Sequence, residues 1–225
     1  MLLGLTGGYC AGKNSVAELL EKRGWASIDV DRLGHRALEL ARDEVLRHFD
    51  EEARELFGRG LLDAAGKLDR KLLGAIVFSE PRKLAEHEAI IHPVMFALVD
   101  ERIAALRDEA RARGDEAARI VVNAAILYKM PVLAGCDAVI EVRAPLLLRL
   151  RRAKARDGLG ARRALDRIGR QAVLWRLRPR QGRGGDGQSA PPVLPVWNEG
   201  DRARLERRLD SLLDSLGAMN SRGLR

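Results

Sequence analysis

Residues 2–15 run Leu2-Leu3-Gly4-Leu5-Thr6-Gly7-Gly8-Tyr9-Cys10-Ala11-Gly12-Lys13-Asn14-Ser15. Leu2 to Thr6 is a short apolar run bounded by glycine, the pattern of a buried strand. Gly7 to Lys13 fits G-x-x-x-x-G-K, and a helical period starts at Lys13. A strand before that motif and a helix after it are what give it weight. Glycines let successive backbone N–H groups turn inward as an anion nest. The nest lies at a helix N-terminus, where orphan donors and the helix dipole add to it. Lys13 is then placed to reach the β- and γ-phosphates of a nucleotide. The bland alternative is a glycine-rich turn that binds nothing. Strand, spacing, lysine and helix agree against it.

Working outward, Val16, Leu19, Leu20 and Arg23 fall at helical spacing, and Gly24 stops that helix. Ala26 to Ile28 is a second short strand, ending at Asp29-Val30-Asp31, and a helical pattern continues to about Phe49. Residues 51–114 are mostly helical in period, with Pro93 expected to interrupt the longest stretch. Arg119–Asn123 and Ala138–Val142 are apolar strands. Pro145 opens a helix, and another spans roughly Ala161–Arg176. Pro179–Pro192 is rich in Gly, Pro and Arg without apolar period and is expected to be a mobile loop. Val193–Trp197 makes a fifth strand. Leu205, Leu209, Leu212, Leu213 and Leu216 line one face of a final helix. Strands alternating with helices predict a parallel α/β sheet with helices on both faces.

The chain has 225 residues, 46% of them hydrophobic, enough for one domain with a buried core. No stretch approaches the ~20 apolar residues of a membrane span. MLLGLTGG has no basic segment before its apolar run, so no secretory signal is expected. Cys10 and Cys136 are too few for a disulfide framework, which fits a reducing cytosol. A membrane protein, a disulfide mini-scaffold and a repeat fibre are thereby excluded. The net charge is +8 and the pI near 10.1. Residues 143–183 hold fourteen Lys and Arg against two acids, Asp157 and Asp166, a net of +12. The remainder of the chain is therefore net acidic. A local field of that size suits a polyanion, either a nucleic-acid backbone or a small ligand with several phosphates. A solvated arginine-rich surface is the plainer alternative.

Several blocks together resemble the dephospho-CoA kinase family. They are LeuThrGlyGlyTyrCysAlaGlyLys (5–13), IleAspValAspArgLeuGlyHis (28–35), GlyLysLeuAspArg (66–70), IleValPheSer-x-Pro (76–81), IleIleHisPro (90–93), AspAlaValIleGluVal-x-AlaPro (137–145), ArgArgAlaLysAlaArgAspGly (151–158), ArgIle-x-x-Gln (167–171) and Asn-x-Gly (198–200). They come in the family's order and span nearly the whole chain. The phosphate loop alone would name only a superfamily. The resemblance implies a P-loop NTPase fold, a three-layer α/β/α unit with a parallel five-stranded sheet. It divides the single domain into a core (1–50, 115–145 and 193–217), a helical acceptor-binding region (51–114) and a basic lid (146–192). The implied activity is ATP- and Mg²⁺-dependent phosphorylation of the ribose 3′-hydroxyl of dephospho-CoA, the last step of coenzyme A synthesis.

The resemblance also places roles. Gly8, Cys10, Ala11, Gly12, Lys13, Asn14 and Ser15 would hold the ATP phosphates, with Asn198 and Gly200 near the adenine. Asp31 would be the catalytic carboxylate that orients or deprotonates the attacking hydroxyl; on its own residues it reads equally as a helix cap. Asp29 is a helper or a cap. Arg152 and Arg156, at i and i+4 with Arg149 one turn earlier, would be lid arginines that grip phosphoryl oxygens bidentately. His35, Arg70 and His92 are candidate acceptor contacts. Cys10 is either a site where oxidation blocks nucleotide or a small residue that fits the turn.

Two departures stand out. Ser or Thr usually follows the lysine as a hydroxyl ligand for Mg²⁺; here Asn14 follows, with an amide oxygen able to coordinate directly or through water. The family often carries Asp-x-Pro-Leu-Leu-aromatic-Glu after its third strand, where this chain has Asn123-Ala124-Ala125-Ile126-Leu127-Tyr128-Lys129. These changes motivate a competing reading, a nucleotide- or CoA-binding protein that transfers no phosphate. A nucleoside monophosphate kinase is a third reading. A nucleic-acid protein is disfavoured, because Trp175 is the one aromatic in the arginine block and stacking platforms want more. A monomer or weak homo-oligomer acting on a small molecule, with no membrane partner, is expected.

Overall fold

β1 (Leu2–Gly7) lies at the centre of a parallel five-stranded sheet. It pairs with β3 (Ile120–Asn123) on one side and β4 (Ala138–Arg143) on the other. β2 (Ala26–Asp29) lies outside β3, and β5 (Val193–Trp197) outside β4. The order is therefore β2-β3-β1-β4-β5. The computed structural model describes residues 1–115, 117–158, 160–179 and 190–223, with the side chains of 173 and 219–223 left aside. Most of the glycine-rich loop expected at 179–192 lies outside the described residues.

The sheet forms because β1 is apolar on both sides: all six of its residues are buried. One face carries Leu3, Leu5, Val121, Ile140, Val142 and Val196. Against them pack Val16, Leu19 and Leu20 of α1 (Lys13–Glu21) and Leu205, Leu209 and Leu216 of α8 (Arg202–Gly223). Each fully buried leucine or valine is worth roughly 1.5–3 kcal/mol against exposure. α1 ends at Glu21, short of the stop expected at Gly24, and Gly24 follows with a left-handed φ of 81°. The Arg23 guanidinium closes the end by donating to Leu19 O at 2.8 Å. On the opposite face Gly4 lets Leu127 approach: a Cβ there would fall 2.6 Å from Leu127 Cδ2.

The chain divides into two compact units, Met1–Asp29 with Ile103–Arg225, and Val30–Arg102. The second unit is helical. α2 (Val30–Leu40), α3 (Arg42–Phe57) and α4 (Arg70–Val77) bury Val45, Phe49, Leu72, Leu73 and Ile76 among them. The single helical pattern expected up to Phe49 is two helices, broken at Ala41 and restarted with Asp43 and Glu44 in the favourable first turn. Pro93 does not end its helix as expected. α5 runs unbroken from Pro81 to Ala112. A proline forfeits one backbone hydrogen bond, and the buried Ile91, Met95 and Val99 on either side keep the helix seated.

In the first unit α6 (Leu146–Asp157) and α7 (Ala161–Ala172) follow β4. The helix expected to reach Arg176 ends at Ala172 and tightens into a 3₁₀ turn over Val173–Leu177. Arg178 is then extended (ψ 128°), as a residue before proline prefers.

Two outcomes follow from this packing. A Cβ on Gly7 would stand 2.9 Å from Val142 O and 3.0 Å from Val142 Cβ, its partner in β4. We expect Gly7→Ala to cost roughly 1–3 kcal/mol, measured by urea unfolding; an unshifted midpoint would show that β1 and β4 part freely. The Cys136 thiol is buried, lies 3.4 Å from Val132 O, and is pushed up to about 12 by burial. Cys10 is partly exposed. Ellman's reagent at about pH 8 should therefore titrate one thiol in the folded protein and the second after unfolding.

Candidate active site

The carboxyl ends of the strands carry the site, at β1, where the strand order changes sides: β3 and β2 lie to one side of it and β4 and β5 to the other. β1 delivers the loop Gly8–Gly12 to the first turn of α1. Gly12 has φ 95° and Cys10 φ 58°, both left-handed, and Ala11 N–H closes a turn onto Gly8 O at 2.8 Å. Gly12 is required on space as well. A Cβ there would lie 2.0 Å from Asn198 Nδ2.

The loop's carbonyls are gripped from three other segments. Gln171 of α7 donates to Gly7 O at 3.2 Å. Arg149 of α6 donates through Nε to Tyr9 O at 2.8 Å. Asn198, just past β5, donates to Ala11 O at 2.9 Å, and Arg152 joins it at 3.1 Å. A trans peptide holds each N–H opposite the preceding C=O. The N–H groups of Gly8, Cys10 and Gly12 are thereby turned away from these side chains, which is the alternation an anion nest needs. Arg152 also donates to the Asn198 backbone and side-chain oxygens at 3.3 and 3.2 Å. Asn198 itself is fixed to the sheet by its N–H on Arg143 O at 2.7 Å.

Lys13 donates to Asn123 Oδ1 at the end of β3. Asn123 is buried and stands in register with Leu5 of β1 and Asp29 of β2. Asn14 is exposed in the first turn of α1, with Ser15 beside it. Arg156 forks onto Asp157 with two contacts of 2.9 Å. That bond raises the pKa of the guanidinium above its ordinary value. Gly200 has φ 108°.

The phosphate-loop residues, Arg152, Arg156, Asn198 and Gly200 thus belong to one compact unit. Asp31, His35, Arg70 and His92 belong to the other. Asp31 lies in the first turn of α2, two residues beyond β2. Gly34, one turn on, comes close to α5: a Cβ there would stand 3.6 Å from Met95 Sδ. His35 is exposed on α2. His92, one turn before Met95, stacks on Phe96 with ring centroids 5.2 Å apart. Arg70 pairs with Glu39 at 2.9 Å. Asp69 beside it caps α4, accepting from Lys71 and Leu72 N–H.

Sequence reasoning missed three features. It placed Asn198 near the adenine and did not find that its side chain locks the phosphate loop. It overlooked Tyr9, which donates to Asp157. It also took Glu141 as part of an apolar strand. Glu141 is buried on β4, with Arg143 at 2.5 Å and Tyr128 Oη donating at 2.7 Å. Arg178 Nε stands 2.8 Å away, its N–H off the line of a hydrogen bond. Tyr128 packs edge-on against Trp175 at 5.8 Å. A cavity of about 310 Å³ opens between this cluster, the phosphate loop, Arg149 and Trp197.

No helix among the described residues is long and apolar enough to cross a membrane. The dephospho-CoA kinase family model matches residues 1–176. The dephospho-CoA kinase of Deinococcus radiodurans is 38% identical over 214 residues, covering 95% of this chain and 91% of that one. The crystal structure of TT1252 from Thermus thermophilus superposes with a TM-score of 0.71 at 30% identity, covering 96% and 97% of the two chains. Dephospho-CoA kinase from Campylobacter jejuni shares the fold, with a TM-score of 0.55 at 22% identity and 96% of each chain covered. These likenesses favour a phosphotransferase over a nucleotide binder without chemistry, or over a different acceptor. With its phosphate loop gripped by the residues of the ordered motifs and its relatives matched almost end to end, the chain belongs to the dephospho-CoA kinase family.

Proposed function

We propose that this protein transfers the γ-phosphoryl group of ATP to the ribose 3′-hydroxyl of 3′-dephospho-CoA, giving coenzyme A and ADP. What carries the reading is the gripped phosphate loop followed by Lys13, in a chain of this family. The N–H groups of Gly8, Cys10 and Gly12 and the side chain of Lys13 hold the β- and γ-phosphates, with Ala11, Asn14 and Ser15 around them. Asn198 and Gly200 border the adenine. His35, Arg70 and His92, in the helical unit, contact the acceptor.

In the transfer, the 3′-oxygen forms a bond to the γ-phosphorus as the bond to the β–γ bridging oxygen breaks. Asp31 orients the hydroxyl and takes its proton, and ADP leaves. Arg152 and Arg156 supply positive charge to the equatorial oxygens, where the charge spreads during transfer. Catalysis of this kind is mostly positioning and electrostatics.

Bound Mg²⁺ would neutralise charge on the nucleotide phosphates during transfer. Its protein donors here are sparse. Asn14 offers an exposed amide oxygen, Asn123 is engaged by Lys13, and no group of three His, Cys, Asp or Glu side chains suited to a metal occurs among the described residues. That donor set fits an ion carried chiefly by nucleotide oxygens and water. The enzyme works in the cytoplasm on a small molecule, as a monomer or weak homo-oligomer, with no nucleic acid as partner.

The test is an assay of purified protein with ATP, Mg²⁺ and dephospho-CoA, following ADP release and CoA formation. ATP binding without acceptor-dependent turnover would overturn the reading. Lys13→Ala is expected to abolish turnover, and Asp31→Asn to lower kcat by ~10²-fold or more. Near-normal activity of the second variant would remove Asp31 from the chemistry.

A further inference from the structure

Tyr9 lies at the tip of the phosphate loop and is held there by both lid helices. Its N–H donates to Gln171 Oε1 and its carbonyl accepts from Arg149. Its hydroxyl donates to Asp157 Oδ2 and accepts from Arg167 NH1 at 3.3 Å. Two guanidinium groups lie over the ring, with Arg156 Cζ 5.3 Å and Arg167 Cζ 5.6 Å from its centroid. Asp157 completes the cluster, taking both forks of Arg156 and lying 3.8 Å from Arg167.

Four arginines, at 149, 152, 156 and 167, converge on the phosphate loop and its tyrosine. Their mutual repulsion opposes that arrangement. The Asp157 carboxylate, the π-face of Tyr9 and the loop carbonyls offset it. The protonation states suit this. Burial, and then the bond to Asp157, raise the Tyr9 phenol above its ordinary value, so it keeps its donor proton at neutral pH. Arg156 first, and then Tyr9, hold Asp157 down to about 2, so it stays a carboxylate.

We propose that Tyr9 is a positioning residue: together with Asp157 it holds Arg156 and Arg167 over the phosphate loop in the nucleotide-free protein, so the lid is arranged before the triphosphate docks. The ordering of two long side chains and two helices is then spent before the reaction starts. The kinetic part rests on the kinase reading above; the structural part does not.

Tyr9→Phe keeps the ring and removes the hydroxyl, so it leaves the core untouched. Loss of one charge-assisted hydrogen bond is expected to raise KM for ATP about 10-fold, because nucleotide binding must then order the lid, with kcat at saturating ATP changed less than about 2-fold. Asp157→Asn should do the same, and the double variant should be no worse than the poorer single one. Without nucleotide, amide hydrogen exchange over α6 and α7 should speed up several-fold in Tyr9→Phe, with α1 and the sheet unchanged, and saturating ATP should restore protection. Unchanged lid exchange in the nucleotide-free variant would overturn the proposal, as would faster exchange throughout the chain with a lowered Tm. If the wild-type protein fails to turn over dephospho-CoA, the kinase reading falls and the exchange comparison still decides the role of Tyr9.

Discussion

A backbone loop can offer its N–H groups to an anion only if something else holds its carbonyls. That constraint organises the molecule. The carbonyls of Gly7, Tyr9 and Ala11 are held by Gln171, Arg149, and Asn198 with Arg152. These side chains come from α7, α6 and the end of β5. The strand order explains how they arrive: β4 and β5 stack outward from β1, so the segments leaving them emerge beside the loop. A loop held in this way by protein groups loses little freedom when a ligand docks, which is the essence of electrostatic preorganisation.

The basic block sorts into populations with different jobs. Arg149, Arg152, Arg156 and Arg167 face the loop or its tyrosine. Arg143 and Arg178 serve the buried Glu141. Arg151, Lys154, Arg162, Arg163, Arg170 and Arg176 are exposed. A summed charge of one sign thus conceals local neutralisation. Asp157, one of two acids in the block, sits where the guanidinium groups are densest, and its fork with Arg156 is the reason they tolerate one another.

What was legible in the sequence was local. The strand, loop and helix from Leu2 to Glu21 follow from spacing alone, and Val193–Trp197 was bounded residue for residue by its apolar run. The grip of Asn198 on Ala11 joins residues 187 apart, and no periodicity carries that. Pro93 misled because propensity speaks for a lone helix, whereas buried neighbours decide in a folded one. The break at Ala41 carries neither glycine nor proline, the two residues that punctuate helices visibly. Glu141 was hidden by alternation along β4: Ile140 and Val142 face the α1–α8 core, so the residue between them points to the other face, where Tyr128 meets it. The roles of Asp31, His35, Arg70 and His92 came from family likeness, since no spacing ties them to one another.

The burial of Glu141 has an evolutionary corollary. A carboxylate out of water is tolerable while its cationic partners remain, and losing one of them strands a charge. Positions 141, 143 and 178 are therefore not free to drift one at a time. An apolar residue at 141 would leave Arg143 and Arg178 facing each other, and a neutral residue at either of those would weaken the case for the acid. Lineages related to this chain should exchange the trio as a set, passing from a charged cluster to a greasy one in linked steps, with Tyr128 free to keep its ring against Trp175 in both.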